Sequence, residues 1–183
     1  MSYRIREIQK TEYNILEDFL YEAIFIPEGV SAPPKEIINK KELQVYIADF
    51  GQKKGDIGLV AEVDNKIVGA VWARIMNDYG HIDDETPSLA ISLYSDYRSC
   101  GIGTALMKNM LEALKKSGYK QTSLAVQKAN YAVKMYKSVG FKIIDENEEE
   151  YIMVCKLCTV DRNLIHMVIP DKPNSRNQRY VKV

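Results

Sequence analysis

The chain has 183 residues, 46% of them hydrophobic, and its 25 Lys and Arg balance 25 Asp and Glu. That length buries the core of one domain with an appendage, and a net charge of zero leaves no basic face of the kind that nucleic acid or an anionic membrane would call for. Met1 to Glu7 alternate polar and apolar, without the apolar centre of a signal peptide or a membrane span, and three cysteines form no disulfide framework; the expectation is a cytoplasmic protein.

In chain order, Tyr3 to Ile8 alternate with the period of a short strand. Thr11 is placed to cap a helix whose Ile15, Leu16, Phe19, Leu20 and Ala23 share one face, and Pro27-Glu28-Gly29 stops it. A second helix is predicted after Pro33-Pro34, running through Ile37, Ile38, Leu43 and Tyr46 to Phe50-Gly51. From Ile57 the period changes to that of strands: Ile57 to Val63, a tight turn at Asp64-Asn65, then Lys66 to Ala73, an antiparallel hairpin. A polar connection from Asn77 to Pro87 leads to a buried strand, Leu89 to Leu93.

A glycine-rich loop follows, and then a helix with Gly103, Met107, Met110, Leu111 and Leu114 on one face, Lys115-Lys116 in its last turn and Gly118 just past its end. Thr122 to Val126 reads as a strand, Asn130 to Ser138 as a short helix stopped by Gly140, and Phe141 to Ile144 and Tyr151 to Leu157 as two more strands. The fold class predicted is α/β of the α+β type, a mixed sheet with an antiparallel N-terminal half and helices on both faces. Residues 1–158 form the domain. The extension 159–183 is expected as an extra strand, Leu164 to Ile169, or as an unpacked tail around Pro170 and the polar run after it. Added to a neighbour's sheet edge, that strand would make a homodimer.

The loop Arg98-Ser99-Cys100-Gly101-Ile102-Gly103-Thr104 carries the chemistry. A strand feeding a glycine turn that opens a helix aims backbone N–H groups and the positive end of a helix dipole at one point, an anion site. Gly101 and Gly103 let a phosphate approach the backbone, and Arg98 is expected to add a charged donor. Two glycines alone fit a plain turn nearly as well. A dinucleotide fingerprint would need Gly or Ala where Leu106 stands, and the nucleotide P-loop would need Gly-Lys-Ser/Thr.

Tyr97 to Leu106, preceded by Leu89 to Leu93, resembles the Gln/Arg-x-x-Gly-x-Gly/Ala motif of the GCN5-related N-acetyltransferase superfamily. Asn130 to Phe141 resembles that family's Asn…Ala…Tyr…Gly-Phe segment, at the expected distance downstream. The resemblance covers about residues 3–157 and implies two neighbouring parallel strands that splay apart around acetyl-CoA. It implies a pyrophosphate on Arg98 to Thr104, a pantetheine along Ile91, Ser92 and Leu93, and Asn130 contacting it from the opposite side. It also implies an oxyanion donor at the Leu93 N–H and a proton from Tyr136 for the departing thiolate. The alternative weighed beside this enzyme is a non-catalytic acyl-CoA-binding or sensing domain.

An attacking alkyl amine, with a pKa near ~10.4, must lose a proton. Some family members carry a glutamate early on the strand before the motif, where this chain has Pro87-Ser88. Glu85, with Asp83 and Asp84, is therefore the candidate base, directly or through water, although a solvated acidic loop explains the three as well. Acceptor recognition is expected from Phe25, Ile26, Pro27 and Glu28 and from Tyr79, Gly80 and His81, which suit a small-molecule or peptide amine. Cys155-Lys156-Leu157-Cys158 has no second pair, so no metal is expected. Cys100 reads as loop filler rather than a nucleophile.

Overall fold

The computed structural model describes residues 2–53 and 55–157. The proposed strand Leu164 to Ile169, His166, Cys158 and the rest of the extension lie outside the described residues.

Seven strands form one sheet among the described residues, in the order β1-β2-β3-β4-β5-β7-β6. They are β1 Arg4–Glu7, β2 Ile57–Val63, β3 Lys66–Arg74, β4 Ser88–Leu93, β5 Gln121–Gln127, β6 Lys142–Glu146 and β7 Glu150–Lys156. Asp64 and Asn65, at φ 49° and 61°, make the two-residue turn between β2 and β3, whose twist suits antiparallel strands. The β4–β5 pair is parallel, because the chain crosses the sheet through helix α3, Ile102–Lys116, before it returns.

Both faces of the sheet are covered, which explains the almost unbroken apolar runs of β2 and β3. On one face Leu106, Met107, Met110 and Leu114 of α3 pack with Leu59, Ala61, Val71 and Ala73. On the other, Leu16, Phe19 and Leu20 of α1, Ile15–Ala23, pack with Val60, Ala70 and Trp72. Each large apolar side chain so buried contributes roughly 1.5–3 kcal/mol relative to exposure. At its C-terminus α3 closes through Gly118 at φ 89°, with Tyr119 N–H donating to Leu114 O and Gly118 N–H to Lys115 O. That is the paired bonding that lets glycine end a helix.

Three expectations need correction. The stretch from Thr11 is a 3-10 turn at Lys10–Glu12, and α1 begins only at Ile15. The Glu12 carboxylate is bound by Arg6 and by Gln9 N–H, which ties this turn to β1. The second long helix is instead a 3-10 turn, Lys35–Asn39, and a single α turn, α2, Lys41–Gln44. Side chains from β3 take the carbonyls beyond it: Arg74 donates to Val45 O and Ala48 O, and Trp72 to Tyr46 O. Arg74 is 1% exposed, pairs with the equally buried Asp56 at 3.0 Å and stacks over Phe50. Finally, Phe141 is a core residue 2% exposed, preceding β6 rather than belonging to it.

Candidate active site

The two edges of β4 differ. Along β3 the pairing runs unbroken from Arg74/Ser88 to Gly69/Leu93, whereas β5 meets β4 only at Ser88/Ser123. Beyond that point the two parallel strands part. Tyr94 N–H donates to Val68 O on β3 at 3.0 Å, and bonding direction alternates along a strand. The N–H groups of Leu93 and Ile91 therefore face the parted edge, and the Leu93 carbonyl accepts from Arg98 Nε there at 2.9 Å. Ser92 lines the cleft beside them, while its hydroxyl donates to Phe19 O in the core at 2.6 Å.

The gap opens into a cleft of about 1610 Å³ reaching from α3 to the loops around α2. Sites for one drug-sized ligand span roughly 300–1,000 Å³, so this cleft has room for a long cosubstrate together with an acceptor.

One end of the cleft is the start of α3. Gly101 holds φ 81° as its N-cap, and the first bond of the helix runs from Ala105 N–H to Gly101 O. The N–H groups of Ile102, Gly103 and Thr104 thus precede the ladder, with no side-chain cap and no acidic residue in the first turn. A Cβ at Gly103 would sit 3.3 Å from Leu93 Cδ1. This bare, uncapped helix end fits a pyrophosphate. Arg98 sits at the cleft, but its guanidinium is engaged with the Glu22 carboxylate at 2.7 Å as well as with Leu93 O. It fastens the loop to α1. The Ile102 side chain is core, fully buried, and Cys100 is exposed outside the cleft lining.

On the other side stands α4, Ala132–Ser138. Asn130 lines the cleft, and its side-chain oxygen accepts from Ala132 N–H at 2.9 Å, opening the helix. Tyr136 also lines the cleft. It is 8% exposed, its ring stacks edge-on against Phe141, and its hydroxyl makes no hydrogen bond among the described residues. Burial pushes the phenol well above its ordinary value, so it stays protonated across the working pH range.

The expected acceptor residues divide. Phe25, Ile26 and Tyr79 line the cleft, while Pro27, Glu28, Gly80 and His81 do not. The acidic loop turns away from it: Asp83, Asp84 and Glu85 are exposed, and the Asp83 carboxylate is spent on Thr86 and on Glu85 N–H, which holds it below its ordinary value. Glu85 is thus not brought to the cleft. Two features escaped the sequence. Glu150, the first residue of β7, opposite Gln127, lines the cleft with no ion pair among the described residues. Tyr46 lines it too, and donates to Asp78 Oδ2 at 2.9 Å. Among the described residues no cluster of three or more His, Cys, Asp or Glu is placed to hold a metal ion, and no helix is long and apolar enough to cross a membrane.

The sequence profile described as "Acetyltransferase (GNAT) domain" matches residues 20–154. An N-alpha-acetyltransferase of Sulfurisphaera tokodaii is 31% identical over 114 residues, 54% of this chain and 68% of that protein. A probable N-acetyltransferase camello of Xenopus laevis is 36% identical over 86 residues, 45% of this chain and only 37% of that protein. Among solved structures, the PaiA N-acetyltransferase of Thermoplasma acidophilum, in complex with coenzyme A, superposes with a TM-score of 0.64 at 22% identity, covering 85% of this chain and 99% of that one. The ribosomal-protein-S18-alanine N-acetyltransferase of Escherichia coli gives 0.61 at 17%, covering 88% and 98%.

Proposed function

The chain belongs to the GNAT acetyltransferase family, and from that premise we propose that it transfers an acetyl group from acetyl-CoA to a primary amine by direct attack. The observation that carries this reading is the parted β4–β5 seam, with the uncapped start of α3 at one end and the unbonded Tyr136 hydroxyl on its far side.

The N–H groups of Ile102, Gly103 and Thr104 hold the pyrophosphate, with Ser99 and Gly101 shaping the turn before them. Ile91 and Leu93 offer N–H groups to the pantetheine in the manner of an added strand, with Asn130 opposite. When bound, acetyl-CoA supplies the activated acetyl carbonyl. The Leu93 N–H is aimed at the oxygen where negative charge gathers as the amine adds, the charge an oxyanion donor stabilises. Tyr136 gives its proton to the departing sulfur; a phenol kept protonated by burial is in the right state for that step. Glu150 lends the acceptor end a negative charge suited to an amine that arrives as a cation. The acceptor is a small-molecule or peptide amine.

The test is thiol release from acetyl-CoA by the wild type and Tyr136→Phe across polyamines, aminoglycosides, amino acids and peptide N-termini. Acceptor-dependent release that falls about 100-fold in the variant, with CoA affinity kept, supports the transferase. Saturable CoA binding without release for any amine supports a binding or sensing domain instead.

A further inference from the structure

We infer that Asp78 accepts the proton of the incoming ammonium group, and that the Tyr46 hydroxyl carries it there from the cleft. This rests on the transferase reading above and names a proton path for that site.

Asp78 is held from two sides. Tyr46 Oη donates to its Oδ2 at 2.9 Å, and Ser88 Oγ, on a residue fully buried at the start of β4, donates to the same oxygen at 2.7 Å. Its other oxygen, Oδ1, is buried and has no hydrogen-bond partner among the described residues. Buried carboxylate oxygens are normally bonded, and one left over is a group whose role asks for explanation. Asp78 does not itself line the cleft; Tyr46 and Tyr79 do. The hydrogen bond from Tyr46 is therefore its connection to the acceptor.

The seat is rigid. Gly80 packs so closely that a Cβ there would meet Ser88 Oγ at 2.8 Å and the β5 backbone at Ala125 N, 2.9 Å. The Asn77 to Gly80 loop is thus wedged where β4 and β5 begin to part, beside the reacting end of the cleft. Tyr46 comes from the turn after α2, Ser88 from β4 and Glu150 from β7; the titratable groups whose charge bears on the Tyr46 hydroxyl are Asp78, Glu150 and Tyr79.

The step balances. The ammonium N–H bond breaks and its proton binds Tyr46 Oη, while the phenolic proton moves to Asp78 Oδ2. The products are a neutral amine, an unchanged phenol and a carboxylic acid. Tyr46 conducts rather than stores the proton, because burial and the Asp78 charge push its phenol far above the ordinary value and leave the phenolate inaccessible. Ser88 donates its own proton and has none to accept from the cleft, so it positions the carboxylate. Glu22, Glu42 and Glu150 are the carboxylates that line the cleft; Glu22 is held by Arg98, and no side-chain hydrogen bond ties Glu42 or Glu150 to a proton path among the described residues.

The experiment is the pH dependence of kcat/KM, from pH 6 to 10, for an amine that the wild type acetylates, in wild type, Tyr46→Phe, Asp78→Asn and Glu150→Gln, with CoA affinity as the check on folding. For an alkyl amine of pKa near ~10.4, the expectation is that Tyr46→Phe and Asp78→Asn lose about 100-fold at pH 7 and less than about 3-fold at pH 10, where enough free amine is present without a base. Three results overturn the proposal: a loss equal at all pH, which marks a structural role; no loss; or a shift of the profile in Glu150→Gln alone. Wild-type protein that releases no thiol with any amine overturns the transferase reading itself, a result distinct from wild-type turnover that the variants leave untouched.

Discussion

Strand β4 is the same six residues on both its edges, Ser88–Leu93, yet one edge is closed and the other open. Toward β3 every residue from Ser88 to Leu93 has a partner; toward β5 only Ser88 does. An unpaired backbone edge buried in a protein is costly, so the open seam persists because its surroundings hold it. The closed edge is anchored by the buried Arg74–Asp56 pair and by Trp72, and the Gly80 loop wedges the start of the parting. On the proposed function, stability and binding are concentrated on opposite edges of one strand. Damage to the closed edge should appear as unfolding, and damage to the seam as lost ligand or turnover in a folded protein.

The sharpest way to break that division is Asp56→Ala, which leaves the Arg74 guanidinium buried without its partner. Urea denaturation should show a loss of about 3–5 kcal/mol, and the protein that remains folded should bind CoA with unchanged affinity. A drop in CoA affinity in the folded fraction would tie the two edges together after all.

Gly80→Ala tests the wedge. Its Cβ would press on β5 backbone as well as on Ser88, and backbone yields less readily than a side chain, so a cost of about 1–3 kcal/mol is expected. Because the shift falls at the acceptor end, KM for the amine should rise while CoA binding holds. Equal loss of both would mean that the seam widens along its whole length.

At the opposite end, Gly101→Ala isolates backbone conformation, since nothing lies within 4 Å of its Cβ position and its φ is 81°. The left-handed conformation costs about 1 kcal/mol for alanine: a loop that keeps it loses that much stability in urea, and a loop that relaxes out of it before CoA binds loses about 5-fold in CoA affinity by calorimetry instead. Stability and affinity both unchanged would remove this conformation from the CoA site.

The smallest effect is one of pH. Tyr46 and Tyr136 are both raised above the ordinary phenol value by burial. A group that holds its proton more tightly when folded contributes stability that is fully present below its unfolded pKa, near ~10, and is lost as pH rises toward the folded value. The urea midpoint should therefore be flat between pH 8 and 9.5 and decline above pH 10, less steeply in Tyr136→Phe. A midpoint that stays flat above pH 10 as well would place these phenols in solvent.

Much of this was legible in one dimension. The β2–β3 hairpin, the glycine loop, α3 with its Gly118 stop and the order of the last strands follow from local rules: alternation in strands, a 3.6-residue face in helices, and glycine where φ is positive. The loop and α4 motifs likewise pointed to a cleft between them. What failed to read were the places where a distant side chain displaces a local preference. Pro33 to Phe50 has the pattern of a helix, but Arg74 and Trp72, more than twenty residues on, claim its carbonyls. Arg98 has the chemistry of a phosphate ligand, and nothing in the sequence signalled that its Nε and one terminal nitrogen would also hold Leu93 O and Glu22.

The candidate acid-base residues show the same limit. Glu85 is near the loop motif in sequence and turned away from the cleft in space, while Tyr46, Asp78 and Glu150 are scattered over a hundred residues and meet beside it. Sequence by itself determined the elements, the helix start that can receive an anion and the tyrosine facing it, because those depend on neighbours within a turn or two. Only the tertiary structure decided where β4 and β5 part, which charges are already paired and which carboxylates reach the cleft, because ion pairs and hydrogen bonds between distant segments are set by packing rather than by chain order.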